Sequence, residues 1–315
     1  MKNILLIAIF LSGQASVIAG SDNKIVRLYG NYIKSLVYIE EERYEKGLLE
    51  LRSAKQLDPD SVHIRLKIAS LLLRLGDIDS AEKELKEAKK IDADGTDVSL
   101  ALIFLYSYVK KDKELEAEYE EFLKKIYQKK PEDLKASQQL AQFYFYKKNY
   151  QEAFLIYKQI VENNPDNIEG MFWLGYLYEE FGERQKAISM WKKALEKDST
   201  HAAVLNSLGY IYAQEGINLD EAKRMIELSL EKEPDNGAYL DSLGWVYFKK
   251  GDYKKAEEYL RKAILILNDP VIYEHLGDLY AAIDDTEEAL KYYNDGLLEF
   301  PDSRELKQKR DKYAR

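Results

Sequence analysis

Apolar residues recur along this chain at helical spacing, in short runs separated by polar turns, and the runs themselves repeat. Leu174-Gly175-Tyr176-Leu177-Tyr178, Leu208-Gly209-Tyr210-Ile211-Tyr212, Leu243-Gly244-Trp245-Val246-Tyr247 and Leu276-Gly277-Asp278-Leu279-Tyr280 share one register, and their leading leucines stand 34, 35 and 33 residues apart. A second apolar-periodic segment follows each run and carries an alanine: Ala187, Ala222, Ala256 and Ala289. Counting backwards at the same period finds Leu140-Ala141 and Tyr144 with Ala153, Ile68-Ala69 with Ala81, and Tyr38 with Gly47, while Leu102 with Tyr106 marks the most divergent unit. The pattern predicts two amphipathic helices per unit, packed antiparallel. The small residue on the first lets the second come close, and leucine and tyrosine fill the flanking space.

Turn residues punctuate the same units. Pro59, Pro131, Pro165, Pro234 and Pro301 fall at the corner after a second helix, and Pro270 at the adjoining start of a unit; none interrupts a proposed helix. Gly76, Gly182, Gly216 and Gly251 lie between the two helices of their units, where a left-handed ending is wanted. Units therefore begin at Leu28, Val62, Thr96, Leu134, Ile168, Ala202, Gly237 and Pro270, the third with four extra residues. A lone pair leaves one face bare, so stacking supplies the core and the ends need caps. The tail from Arg304 to Arg315, with Leu306 its one large aliphatic side chain, fits a polar capping helix.

These units resemble the tetratricopeptide repeat over nearly the whole chain after residue 20. The small position recurs at Ala69, Ala141, Gly175, Gly209, Gly244 and Gly277, and the tyrosine at Tyr38, Tyr106, Tyr144, Tyr178, Tyr212, Tyr247 and Tyr280. The resemblance implies an all-α, right-handed superhelical solenoid of about eight helix-turn-helix repeats over residues 20–303, with its first helices lining a concave groove. The repeat positions that face such a groove are Phe104 and Tyr108 in the third repeat, Phe145 and Tyr146 in the fourth, and Phe172, Tyr176 and Glu180 in the fifth. Asn206 and Tyr210 follow in the sixth, then Asp241, Trp245, Phe248 and Lys249 in the seventh. Tyr176, Tyr210 and Trp245 are expected to form a ladder of exposed rings, with Asp241 and Lys249 fixing the register of a bound protein or peptide segment. The family's clamp for a C-terminal carboxylate, lysine and asparagine at the fifth and ninth positions, is replaced by Tyr32, Leu36, Leu66 and Ser70. Residues 206–264 are further similar to the C-terminal repeats of bacterial envelope tetratricopeptide proteins. Those include outer-membrane lipoproteins that act as adaptors for periplasmic carboxyl-terminal processing proteases, which implies a protease or its substrates as partners.

Composition narrows the chemistry. The 315 residues include no cysteine, which excludes disulfides, thiolate metal sites and cysteine nucleophiles. With 47 basic against 56 acidic residues the net charge is −9, which argues against nucleic acid and against an anionic membrane surface. Tyrosine is abundant, 25 residues against 6 prolines, as long helices with aromatic surfaces require. Lys2, the apolar run Ile4 to Leu11 and Val17-Ile18-Ala19 read as a bacterial export signal over residues 1–19, and hence as a periplasmic destination. Leu11-Ser12-Gly13 is followed by Gln14 where a lipobox needs cysteine, so membrane association is expected only indirectly, and an outer-membrane lipoprotein only if Gln14 replaces such a cysteine.

No nucleotide-binding, zincin or serine-hydrolase motif is present, and His63, His201 and His275 stand far apart. Asp92 to Asp97 superficially resembles a calcium loop, but its glycine comes too early and Ile103 takes the place of the closing glutamate. No catalytic residue, metal, cofactor or small-molecule substrate is expected. The expectation is a non-catalytic interaction scaffold. An assembly factor for a secretion, pilus or polysaccharide system, and a self-associating structural protein, stand as alternatives.

Overall fold

The computed structural model describes residues 22–314; the predicted export signal lies outside them. Among the described residues there are 17 α-helices and no strand. They fall into two compact units divided between Ala136 and Ser137.

In the first unit α1 (Asp22–Glu40) pairs with α2 (Tyr44–Leu57), α3 (Val62–Arg74) with α4 (Ile78–Ile91), and α5 (Thr96–Tyr108) with α6 (Asp112–Lys129). Helix α7 (Leu134–Tyr146) spans the division, and α8 (Tyr150–Asn163) follows. The second unit continues with α9 (Ile168–Glu180) and α10 (Arg184–Lys197), α11 (Ala202–Glu215) and α12 (Leu219–Lys232), and α13 (Gly237–Lys249) and α14 (Tyr253–Ile266). It ends with α15 (Pro270–Ala282), α16 (Thr286–Glu299) and the terminal α17 (Arg304–Tyr313). The first helix already includes Asp22, upstream of the expected start near Leu28, and no glycine or proline between the two interrupts it.

Helix starts follow from local chemistry. Side chains of Ser61, Asn167, Asn236, Asp269 and Ser303 accept hydrogen bonds from backbone N–H groups at the openings of α3, α9, α13, α15 and α17. Turns follow as well. Gly76, Gly182, Gly216 and Gly251 all take positive φ, from 67° to 80°, at the corner inside their helix pair. Where glycine is missing the corner falls on Glu42, Lys110, Lys148 or Asp284, with φ between 55° and 61°. In the sixth repeat the additional residue is taken up in the turn itself, where Asn218 also turns left-handed, φ 49°. The four extra residues of the third repeat lengthen α6 to 18 residues against 14 in α4, roughly one more helical turn.

The core is a run of small-against-large contacts. In the first unit Leu51, Ile68, Leu85 and Leu102 are fully buried beside Ala54, Ala81 and Ala88. In the second unit the glycine of each leucine-glycine run faces one bulky side chain of its partner helix: Gly175 faces Trp191, Gly209 faces Ile226, Gly244 faces Leu260 and Gly277 faces Tyr293. A Cβ on Gly244 would stand 2.7 Å from Leu260 Cγ, and one on Gly277 would fall within the Tyr293 ring. The glycines are thus set by close approach and not by backbone conformation. First helices also pack on the first helix of the next repeat, α11 on α13 and α13 on α15, so these three helices share one face.

Helix α17 closes the second unit. Leu306 is buried, Tyr313 stacks on Tyr293 with ring centroids 6.1 Å apart, and Lys309 pairs with Glu274 at 2.7 Å and with Asp278.

Candidate functional site

The shared face of α11, α13 and α15, together with α9, lines a cleft of about 420 Å³, closed at one side by the turn before α15. Successive turns of one helix put Asn206, Tyr210 and Gln214 of α11 along it, because residues four apart lie on one helical face. Tyr176 and Glu180 of α9 stand on one side, and Asp241 of α13 with Val271 and Ile272 of α15 on the other.

Burial, and then the neighbouring Asp241 carboxylate, holds the Tyr210 phenol well above its ordinary range, so it remains a neutral hydrogen-bonding group. Burial and the Glu180 carboxylate do the same to Tyr176. The Oδ1 atom of Asn206 is buried without a hydrogen-bond partner among the described residues. Asp269 at the rim accepts a 2.9 Å bond from the Val271 N–H, and Glu179 is held by Arg184, whose Nε donates to it at 2.9 Å.

Behind the cleft lies a buried polar and aromatic knot. Asp241 Oδ1 stands 2.8 Å from His275 Nδ1. Trp245 stacks on the His275 ring, centroids 3.9 Å apart and planes 13° apart, and on Phe248 at 4.6 Å. Lys249 Nζ sits 4.9 Å over the Trp245 ring, whose Nε1 is buried and has no hydrogen-bond partner among the described residues. A neighbouring cleft of about 440 Å³ carries both signs of charge, from Arg184, Lys309, Glu274 and Asp278.

Tyr176, Glu180, Asn206, Tyr210 and Asp241 of the expected groove set come together in the first cleft. The expected ladder of three exposed rings is corrected: Tyr176 and Tyr210 are half-buried, and Trp245 is only 8% exposed, because the His275 and Phe248 rings stack on it. Asp241 is likewise buried and bound to His275, so it is not free to set a partner's register as expected. Lys249 lies on Trp245 outside the cleft, with Phe248 beneath that ring. Phe145 packs edge-on against Trp173 and Tyr176, at 4.7 and 5.2 Å, and Phe172 against Trp173 at 5.0 Å, so both support the wall instead of forming it. Tyr146 is 75% exposed, and Phe104 and Tyr108, 65% and 70% exposed, belong to α5 in the first unit.

Three participants escaped the sequence reading although a signal existed. Gln214 occupies the thirteenth position of its repeat, as Glu180 and Lys249 do in theirs, and Val271 the second. His275 follows Asp241 by 34 residues, one more than the 33 between the starts of their two repeats, so it stands at the sixth position where Asp241 stands at the fifth. Among the described residues no group of histidines and carboxylates is arranged to hold a metal, and no helix is long and apolar enough to cross a membrane.

Models of the tetratricopeptide repeat match residues 38–103, 134–167, 169–201, 237–269 and 271–302. No curated protein matches the chain. Among solved structures, TTC0263, a thermophilic tetratricopeptide repeat protein of Thermus thermophilus, aligns over 57% of this chain and 98% of its own, with 19% identity and a TM-score of 0.50. The anaphase-promoting complex hetero-tetramer Cut9–Hcn1 aligns over 97% of this chain and 58% of its own, with 15% identity and a TM-score of 0.58. The paired helices, the glycine-to-bulky contacts and these matches lead to one assignment: the chain belongs to the tetratricopeptide repeat family, a fold of protein-interaction scaffolds.

Proposed function

We propose that this protein is a non-catalytic scaffold that binds an extended segment of a partner protein in the cleft of α9, α11, α13 and α15. The carrying observation is the Asn206 carbonyl oxygen, buried and unpartnered among the described residues, in a cleft that also presents two neutral phenols and the apolar side chains of Ile211, Leu267, Val271 and Ile272. A main-chain N–H of a bound segment would satisfy that acceptor, and leaving it unmade in a closed complex costs about 1–3 kcal/mol. Apolar surface with a few convergent polar groups is the usual make-up of a binding cleft. The finer part of the reading is export to the bacterial periplasm and service as an adaptor for a processing protease. It is supported by the charged and apolar start of residues 1–19 and by the resemblance of residues 206–264 to envelope adaptors.

The test is photo-crosslinking in the source bacterium, with the reactive side chain placed at Gln214 in the cleft and, separately, at the exposed Glu258 of α14. A partner captured from position 214 and not from 258 supports the cleft; equal capture from both, or capture from 258 alone, overturns it. A carboxyl-terminal processing protease among the captured proteins supports the adaptor role. Mass spectrometry of the native protein should find it beginning after Ala19, and an intact Met1 would refute export.

A further inference from the structure

The cleft has one sign of charge. Its lining contains Glu179, Glu180, Asp241 and Asp269, and no lysine, arginine or histidine. Two of the four carboxylates already have side-chain partners outside the lining: Glu179 is ion-paired with Arg184, and Asp241 is hydrogen-bonded to His275. Glu180 is exposed beside the Tyr176 phenol, with no ion pair among the described residues, and Asp269 accepts only from backbone N–H among them. Negative charge is therefore left over on both sides of the two phenol rings. Tyr210 feels the same field, from Asp241, Glu274 and Asp269 together.

Aromatic faces bind cations through the ring quadrupole, more strongly where water is excluded, and carboxylates add a direct attraction that low polarity magnifies. The unpartnered Asn206 Oδ1, in its assigned orientation, is an independent pointer to a donor: it would receive an N–H and repel a carboxylate. We propose that the cleft selects partner segments carrying a lysine or arginine, whose cationic head seats between Tyr176 and Tyr210 against Glu180 and Asp269. This rests on the reading of the cleft as a segment-binding groove. It adds the chemical class of the segment: basic, with acidic and C-terminal carboxylate ends disfavoured.

The experiment uses the full chain, immobilised, and a random-sequence synthetic peptide library whose retained members are sequenced by mass spectrometry. Retained peptides should be enriched in lysine and arginine, lose affinity in added salt, and bind about tenfold more weakly when the basic residue is replaced by norleucine or citrulline. The double variant Glu180→Gln, Asp269→Asn should abolish that tenfold preference. Asparagine caps a helix as well as aspartate does, so α15 should remain closed, which circular dichroism checks. Peptides retained without basic enrichment, or an unchanged preference in the folded variant, would overturn this proposal while leaving the groove reading intact. If no peptide is retained, both fail.

Discussion

Asp241 and His275 lie on neighbouring first helices, one repeat apart, and their 2.8 Å contact joins α13 to α15 inside the protein. Trp245 covers the histidine, so the three side chains form a joint between repeats, and of them only Asp241 reaches the lining of the cleft. His275→Ala removes the stacked ring and leaves the Asp241 carboxyl buried without its partner. A loss of about 2–4 kcal/mol in chemical denaturation is expected. The Asp241→Ala, His275→Ala double variant should cost less than the two single losses added, and strict additivity would show that the contact is not energetically coupled.

The glycine-to-bulky contacts give a second expectation. Gly244→Leu should lower the melting temperature, since added methylenes in a filled contact cost about 1–3 kcal/mol and Leu260 already stands where they would go. Gly277→Ala should do likewise against Tyr293. Pairing it with Tyr293→Leu should recover part of the loss, and no recovery at all would mean that the ring is not what excludes the methyl.

Left-handed corners can be tested without touching the core. Nothing lies within 4 Å of a Cβ built on Gly251, whose φ is 76°, so Gly251→Ala measures backbone conformation alone and should cost about 1 kcal/mol. Lys110 sits at the equivalent corner with φ 55°, and Lys110→Gly should raise stability by about 0.5–1 kcal/mol. Opposite signs for the two variants are the expected result of the denaturation curves.

Alkaline pH should weaken the fold. Burial, with the Glu233 charge a smaller cause, pushes the Tyr239 phenol up to about 12. Burial and the hydroxyl's 2.6 Å bond to Glu257 bring Tyr280 to about 12, with Arg261 opposing. An unfolded tyrosine ionises near 10, so between about pH 10 and 12 the unfolded chain has lost protons that the folded one keeps. The stabilisation is fully present below pH 10 and disappears as pH rises through the folded value. Denaturation midpoints should fall across that window while tyrosinate absorbance appears on unfolding, and Tyr280→Phe should make the fall shallower.

Most of the architecture was legible because its determinants are local. Pro59, Pro165 and Pro234 stand in the turns that follow α2, α8 and α12, Gly76 and Gly251 in the left-handed corners, and the leucine-small-tyrosine runs on the first helices. The cleft was legible in part, for the same reason: repeat position fixes which face of its helix Asn206 or Tyr210 occupies. It does not fix what the neighbouring repeat lays over that face. Trp245 and Tyr210 hold one repeat position, yet His275 covers the first ring, while the second remains partly open beside the cleft. That difference is made by a residue a whole repeat away, and no pattern within a single repeat reports it.

The contacts between Gly175 and Trp191, Gly209 and Ile226, Gly244 and Leu260, and Gly277 and Tyr293 also govern how such a gene can be rearranged. Each glycine meets a bulky side chain carried on its own second helix, and these differ in shape: tryptophan, isoleucine, leucine and tyrosine. Unequal crossing-over with the break inside a helix pair would set a glycine sized for leucine against tryptophan or tyrosine, leaving a hole or a clash. Breaks at the turns between pairs, where Pro165, Pro234 and Pro301 stand, would keep every match intact. The heritable unit of duplication or deletion in this chain is therefore the complete helix pair, and chimaeras cut at those turns are the ones that should fold.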